Sequence, residues 1–343
     1  MHYRRISQND LFWWPICLLT MKKLPVAVLA SLLFCSHVVL AQSLTDCGGS
    51  IVFDSDRTGV REIYVVNSDG SGERQLTFVS VREDLSSVDF LSLDPQEQQE
   101  LQERVEFSRV PDLSPNGSRI VFHGNRLGEG PGIYVMNCGT GEVRLLIADV
   151  EAHGPRWSPD GQQIAFIQSR GISIVEADGS NVRKIDGLPD PSSAPSWSPD
   201  GNQIAFVSRG AGTWEIFAFE FSTGRIQQLT RTTEARTANQ GPAWSPDGSK
   251  IAYDRVQDRN FDIYVMDADG SNIQRLTHND KVDARPAWSP DGQRIVFHSS
   301  HDGSSDQRGD SAGREIYVMD ADGGNVERLT SNDHNDAHPR WRR

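Results

Sequence analysis

The chain has 343 residues, with 34 Lys and Arg against 47 Asp and Glu and a formal net charge of −13 at pH 7. So acidic a surface repels phosphate backbones and argues against nucleic acid as a partner. The length exceeds what one ordinary core covers, yet the repeats described below leave no room for a second domain.

The first element is an export signal. Met21-Lys22-Lys23 precedes an apolar run, Leu24 to Phe34, and then Val38-Val39-Leu40-Ala41, with small residues placed for cleavage after Ala41. Residues 1–41 are therefore expected to be a signal peptide. Residues 1–20 are expected to be an upstream start-site extension; the alternative is a longer charged leader. A permanent anchor over 24–41 is the rival, but the interrupted apolar run and its small-residue ending favour cleavage. The mature chain is then periplasmic or secreted, with no stable membrane insertion. Cleavage removes Arg4, Arg5, Lys22, Lys23 and Asp10, which takes the formal charge to −16. Cys47 and Cys138 survive it, and an even pair in an exported chain predicts one disulfide.

From residue 48 onward the chain repeats itself. Pro-x-Trp-Ser-Pro-Asp-Gly recurs around Trp157, Trp197, Trp244 and Trp288, with a cut-short copy at Trp341 and a degenerate one at Leu113-Ser114-Pro115-Asn116-Gly117. The copies start 44, 40, 47, 44 and 53 residues apart. A period of this size marks a stacked or ring-shaped array. Within residues 286–330, Pro286-Ala287-Trp288 reads as strand a, and Ser289-Pro290-Asp291-Gly292 reads as a tight turn. Arg294-Ile295-Val296-Phe297-His298 reads as an alternating strand b, Glu315 to Asp320 as strand c, and Val326 to Thr330 as strand d. The amino-terminal segment begins at strand b (Ile51-Val52-Phe53) and lacks strand a, which the tail supplies as Pro339-Arg340-Trp341. The expected fold is all-β: a six-bladed β-propeller over residues 42–343, closed by a carboxy-terminal strand that completes the first blade. Closure removes the exposed edges of an open array.

Two long insertions fall on the face of the d–a and b–c connections: residues 79–109, and residues 299–314 in blade six. Asp94-Pro95 can start a helix running to about Phe107, either a lid or docking element over the channel or a decoration of the blade edge. Cys47 and Cys138 both fall on the opposite, tight-turn face of adjacent blades, where a bridge is feasible.

The Pro-x-Trp-Ser-Pro-Asp-Gly, Ile-Ala-Phe, Ile-Tyr-Val-Met-Asp-Ala-Asp-Gly and Arg-Leu-Thr signatures resemble the propeller repeats of the TolB family. That family includes a periplasmic component of the Tol–Pal envelope system. The resemblance covers residues 48–341 and departs in one respect. TolB carries an α/β domain ahead of its propeller, whereas about seven residues separate Ala41 from the first strand region here.

The recurring tryptophans read as packing residues. The Asp-Ala-Asp-Gly stretches at 267–270 and 320–323 read as hairpin turns, because their glycines stand fourth rather than sixth as in a calcium loop. The histidines make up no complete zinc-ligand motif, and the repeats leave no length for an appended hydrolase domain. No catalytic residue, metal or cofactor is expected. The d–a connections bring His153, Asn239, Gln240, Asp283, Arg285, Asp336, His338 and Arg340 towards the channel as candidate binding residues. In the resembled family such a face receives a protein partner. The expectation is a monomeric, non-enzymatic propeller that binds a protein or cell-envelope component through its loop-rich face. The alternatives are a metal-dependent polysaccharide lyase or hydrolase, as in sugar-acid lyases with related propellers and histidine-rich metal centres, or a carbohydrate-binding propeller.

Overall fold

The computed structural model describes residues 47, 49–78, 106–126, 128–209, 212–234, 236–300 and 313–342. These form six four-stranded antiparallel sheets. In blade one the tail strand Asp336–Trp341 lies innermost and pairs with Ile51–Ser55, followed outward by Glu62–Val66 and Arg74–Gln75. The other five blades are contiguous in sequence, with inner strands Phe107–Leu113, His153–Trp157, Ser192–Trp197, Thr237–Trp244 and Asp283–Trp288. Each inner strand contacts the next. The tail strand touches both Asp283–Trp288 and Phe107–Leu113, so the ring is closed.

The second strand of each blade is buried on both faces rather than alternating, because a neighbouring sheet covers each side. Ile295, Val296, Phe297 and His298 are all buried, as are Ile120, Val121, Phe122 and His123. The core is accordingly a set of clusters between blades. One joins Ile51, Phe53 and Trp341 of blade one to Ala287, Val296 and Val318 of blade six.

The repeated words have local causes. In Ser-Pro-Asp-Gly the serine hydroxyl donates to the aspartate and accepts the N–H five residues on. Ser158 Oγ bonds Asp160 at 2.6 Å and receives Gln163 N at 2.9 Å. Asn116 replaces the aspartate in the degenerate copy and holds Ser114 at 2.8 Å. The Leu-Thr ending acts as a latch. Thr230 Oγ1 accepts Ile216 N at 2.9 Å and donates to buried Glu215. Thr77 with Glu62 and Thr330 with Glu315 repeat the arrangement.

Three boundaries differ from the sequence expectation. The inner strand of blade two begins at Phe107, since Phe107, Ser108 and Arg109 pair with Asn125, Gly124 and His123. The insertion before it therefore spans 79–106. The expected helix falls outside the described residues, apart from Phe107 itself, which is strand, and Glu106, which is irregular. In blade six Ser299 and Ser300 pair with Glu315 and Arg314, which shortens that insertion to 301–313. Residues 1–41 lie outside the described residues. Among the described residues no helix is long and apolar enough to cross a membrane. Cys47 and Cys138 form a disulfide with Cα atoms 5.2 Å apart, tying the segment before blade one to the c–d turn of blade two.

Candidate functional site

Each inner strand carries a bulge at one repeat position, three residues before its tryptophan (before Leu113 in blade two). The six residues there all have positive φ: Val110 55°, Gly154 61°, Ala194 51°, Gly241 57°, Arg285 59° and His338 52°. The strand register shifts at each of them. A bulge re-aims side chains, and here it turns six positions towards the axis of the ring. Glycine or alanine occupies three of them. Arg285 and His338 hold this conformation with large polar side chains, as L-residues seldom do.

The inner strands enclose a cavity of about 490 Å³. It lies towards the end of the ring that carries the d–a and b–c connections, since Ile167 and Val207 near the ends of second strands and Trp214 at the start of a third strand line it. Its lining includes Arg109, Arg156, Arg285 and Arg340 together with His123, His153 and His338, and none of the described lining residues is acidic. The cations come from blades six, one, two and three. Ile167, Pro195, Val207 and Trp214 of blades three and four form an apolar sector.

Acidic groups stand behind the wall and organise it. Asp54, fully buried, accepts Arg61 at 2.6 Å, the Val110 N–H at 3.0 Å and His338 Nδ1 at 2.8 Å. Burial alone would raise its pKa, but His338, Arg61 and the Val110 amide outweigh that and lower it to about 2. His338 is pushed down: burial outweighs the attraction of Asp54 and leaves the ring neutral at pH 7, with Nδ1–H donated to the carboxylate. Asp254 accepts the Arg285 N–H at 3.1 Å, and burial raises its pKa against the pull of Arg285. Asp112 accepts the Trp157 N–H at 2.8 Å. Each acid links its own blade to the next. His123 is pushed down to about 3 by burial and then by Arg109. Arg109 donates Nε to His123 Nδ1 at 3.2 Å, and its guanidinium lies 4.9 Å from the Phe107 ring centre. His298, whose pKa burial drives well below the usual value, accepts the His338 N–H at 3.3 Å.

Of the eight residues singled out from sequence, His153, Gln240, Arg285, His338 and Arg340 line the cavity. Asn239, Asp283 and Asp336 do not. All eight belong to inner strands rather than to loops, because those strands begin well ahead of the Pro-x-Trp cue. Neighbours on a strand point to opposite sides, so Gln240 faces the axis while Asn239 turns into the blade. There Asn239 donates to Glu215 and accepts from Arg255, both at 2.8 Å. Asp283 is fully buried and accepts Asn279 Nδ2 at 2.8 Å. Asp336 is fully buried and receives Arg57 NH2 on both oxygens at 2.9 Å. Sequence reasoning missed Arg109 and Arg156. Arg109 occupies the repeat position of Gln240 and His153, and Arg156 that of Arg340, so aligning the repeats at every position would have found both. Among the described residues no three His, Cys, Asp or Glu side chains converge as a metal-binding group.

Six blades closed by the tail around a lined axial cavity define a six-bladed β-propeller. The family of the TolB beta propeller domain, PD40, matches residues 167–343, and the chain belongs to that family. A protein TolB homolog from Chlorobium luteolum is 30% identical over 199 residues, which is 57% of this chain and 40% of that protein. The chain thus spans well under half the length of that curated relative. The crystal structure of TolB from Acinetobacter baumannii superposes with a TM-score of 0.65 at 20% identity, over 93% of this chain and 74% of the other. A putative TolB from Agrobacterium tumefaciens gives a TM-score of 0.58 at 21% identity, over 85% and 97%. Both structures share the fold.

Proposed function

We propose that this chain is an exported, non-enzymatic propeller that binds a protein or other cell-envelope component at the channel mouth, on the face of the d–a and b–c connections. The observation behind this is convergence. His153, Gln240, Arg285, His338 and Arg340 meet in one cavity at the end of the ring from which both long insertions depart, after Phe78 and after Ser300. Membership of the TolB propeller family supports a binding role over a catalytic one. Rigid scaffolds carry recognition on such faces.

The test is site-specific photo-crosslinking in envelope extract. A crosslinking residue at exposed His153, on the mouth, should capture a discrete partner. The same residue at exposed Thr223, in a tight turn on the opposite face, should not. Equal capture from both faces would remove the mouth as the docking surface. Metal analysis of the purified protein separates this function from that of a metal-dependent lyase or hydrolase: stoichiometric Mn, Zn or Fe would favour the enzyme.

A further inference from the structure

The axial cavity has a charge opposite to that of the protein. The chain carries a net −13, yet four arginines line about 490 Å³ in which no described lining residue is acidic. The carboxylates hydrogen-bonded to this wall, Asp54, Asp112 and Asp254, are engaged with backbone amides of the next blade, and Asp54 also with Arg61. Like charges gathered in a walled cleft repel one another and focus a positive potential there. A positive potential of this kind favours entry of an anion.

Arg285 sharpens the argument. It sits at the bulge position shared by all six blades, held elsewhere by Val110, Gly154, Ala194, Gly241 and His338, with φ at 59°. A left-handed conformation is costly for an L-residue, and strain of this kind gathers at functional sites. Among the described residues no carboxylate oxygen lies within 4.0 Å of its guanidinium nitrogens. The bulge places this guanidinium in the cavity wall, with Asp254 behind it. Arg109 approaches from blade two, steadied by the Phe107 ring and by His123.

One sector is apolar. Ile167, Pro195, Val207 and Trp214 of blades three and four line it. The volume falls in the range of small-molecule pockets, roughly 300–1,000 Å³. The planar fork of arginine matches a carboxylate through two parallel hydrogen bonds.

We propose that the channel is a binding site for a small organic anion, a carboxylate-bearing molecule whose charged groups meet Arg285 and Arg109 and whose apolar or aromatic part lies against Ile167, Val207 and Trp214. This goes beyond partner docking at the rim. It is measured on the purified protein alone, so its failure leaves docking untouched, and the failure of docking leaves it untouched.

The experiment is calorimetric titration of the purified protein with isophthalate, an aromatic dicarboxylate of suitable size, beside its uncharged diamide. Saturable binding of isophthalate at one site per chain is expected, with none for the diamide. Loss of a charge-assisted hydrogen bond (roughly 1.5–3 kcal/mol) should weaken binding about ten- to a hundredfold in Arg285→Gln. Arg225→Gln, at an exposed site on the tight-turn face, should bind as the parent does. Should Arg285→Gln fail to fold, Arg109→Gln carries the same comparison. Absence of saturable isophthalate binding up to millimolar concentration would overturn the proposal, as would equal weakening by Arg225→Gln and Arg285→Gln. Binding of an acidic hexapeptide or an oligomeric uronic acid without binding of isophthalate would also overturn it and assign the channel to a polymer.

Discussion

Replacing Trp341 by Ala tests whether the tail closes the ring. Trp341 is 7% exposed and packs with Ile51, Phe53, Tyr64 and Val66 of blade one and with Ala287, Val296, Ile316 and Val318 of blade six. Its backbone stands opposite Ile51, and the guanidinium of Arg294 lies 5.2 Å from its ring. A buried tryptophan covers about 150–250 Å², which at about 25 cal/mol per Å² is roughly 4–6 kcal/mol. Core truncations of this size cost about 3–5 kcal/mol, and an exposed cation–π contact adds roughly 0.5–1 kcal/mol. Among the described residues the indole N–H has no hydrogen-bond partner, so no polar contact with them is lost. The expected loss is about 4 kcal/mol. At about 2–4 °C per kcal/mol for a large domain, the melting midpoint should fall by roughly 8–16 °C. Scanning calorimetry measures the shift. Hydrogen exchange should accelerate first at Ile51–Ser55, the strand that pairs with the tail. Trp244→Ala, at a half-buried site inside a contiguous blade, should cost less. A midpoint within about 1 °C of the parent, with unchanged exchange at Ile51–Ser55, would refute closure by the tail.

Acid should destabilise the ring in two windows. His123, His298 and His338 are held neutral with lowered pKa values, so below about pH 6.5 the unfolded chain binds more protons, and each histidine removes up to about 1.4 kcal/mol per pH unit. For His123 the loss continues down to about pH 3. Asp54 contributes stability above its unfolded value of 3.8 that is lost as pH falls towards about 2. Urea midpoints that stay flat from pH 7 to 4.5 would contradict this account. The Cys47–Cys138 bond spans 91 residues, and its loss should cost roughly 4–5 kcal/mol by loop-closure entropy. Two reactive thiols in the denatured, unreduced chain cleaved after Ala41 would disprove the bridge. Asn239→Ala breaks the link between Glu215 and Arg255 and should destabilise by about 1–3 kcal/mol with capture at His153 unchanged. Loss of capture without a change in melting would make Asn239 a binding residue after all.

Much of the architecture was legible from the chain, because it arises from local chemistry. Ser-Pro-Asp-Gly forms its turn from its own hydroxyl, carboxylate and glycine, so the recurring turns mark blade after blade. The strand missing at the front and the Pro339-Arg340-Trp341 surplus at the back pointed to closure before any contact was known. The wall of the channel was less legible. Gln240 and Asn239 are neighbours of similar chemistry, and only the register of Thr237–Trp244 sends one to the axis and the other into the blade.

What the sequence determined alone was the number of blades, their turns and their order. Tertiary structure decided which side chains share the cavity, because a one-residue bulge reverses the face of everything ahead of it. The bulge at Arg285 and His338 does not follow from local preference, since left-handed backbone is costly for both residues. It is held by Asp254 and by Asp54 with His298, groups supplied by strands of a neighbouring blade or of the far end of the chain.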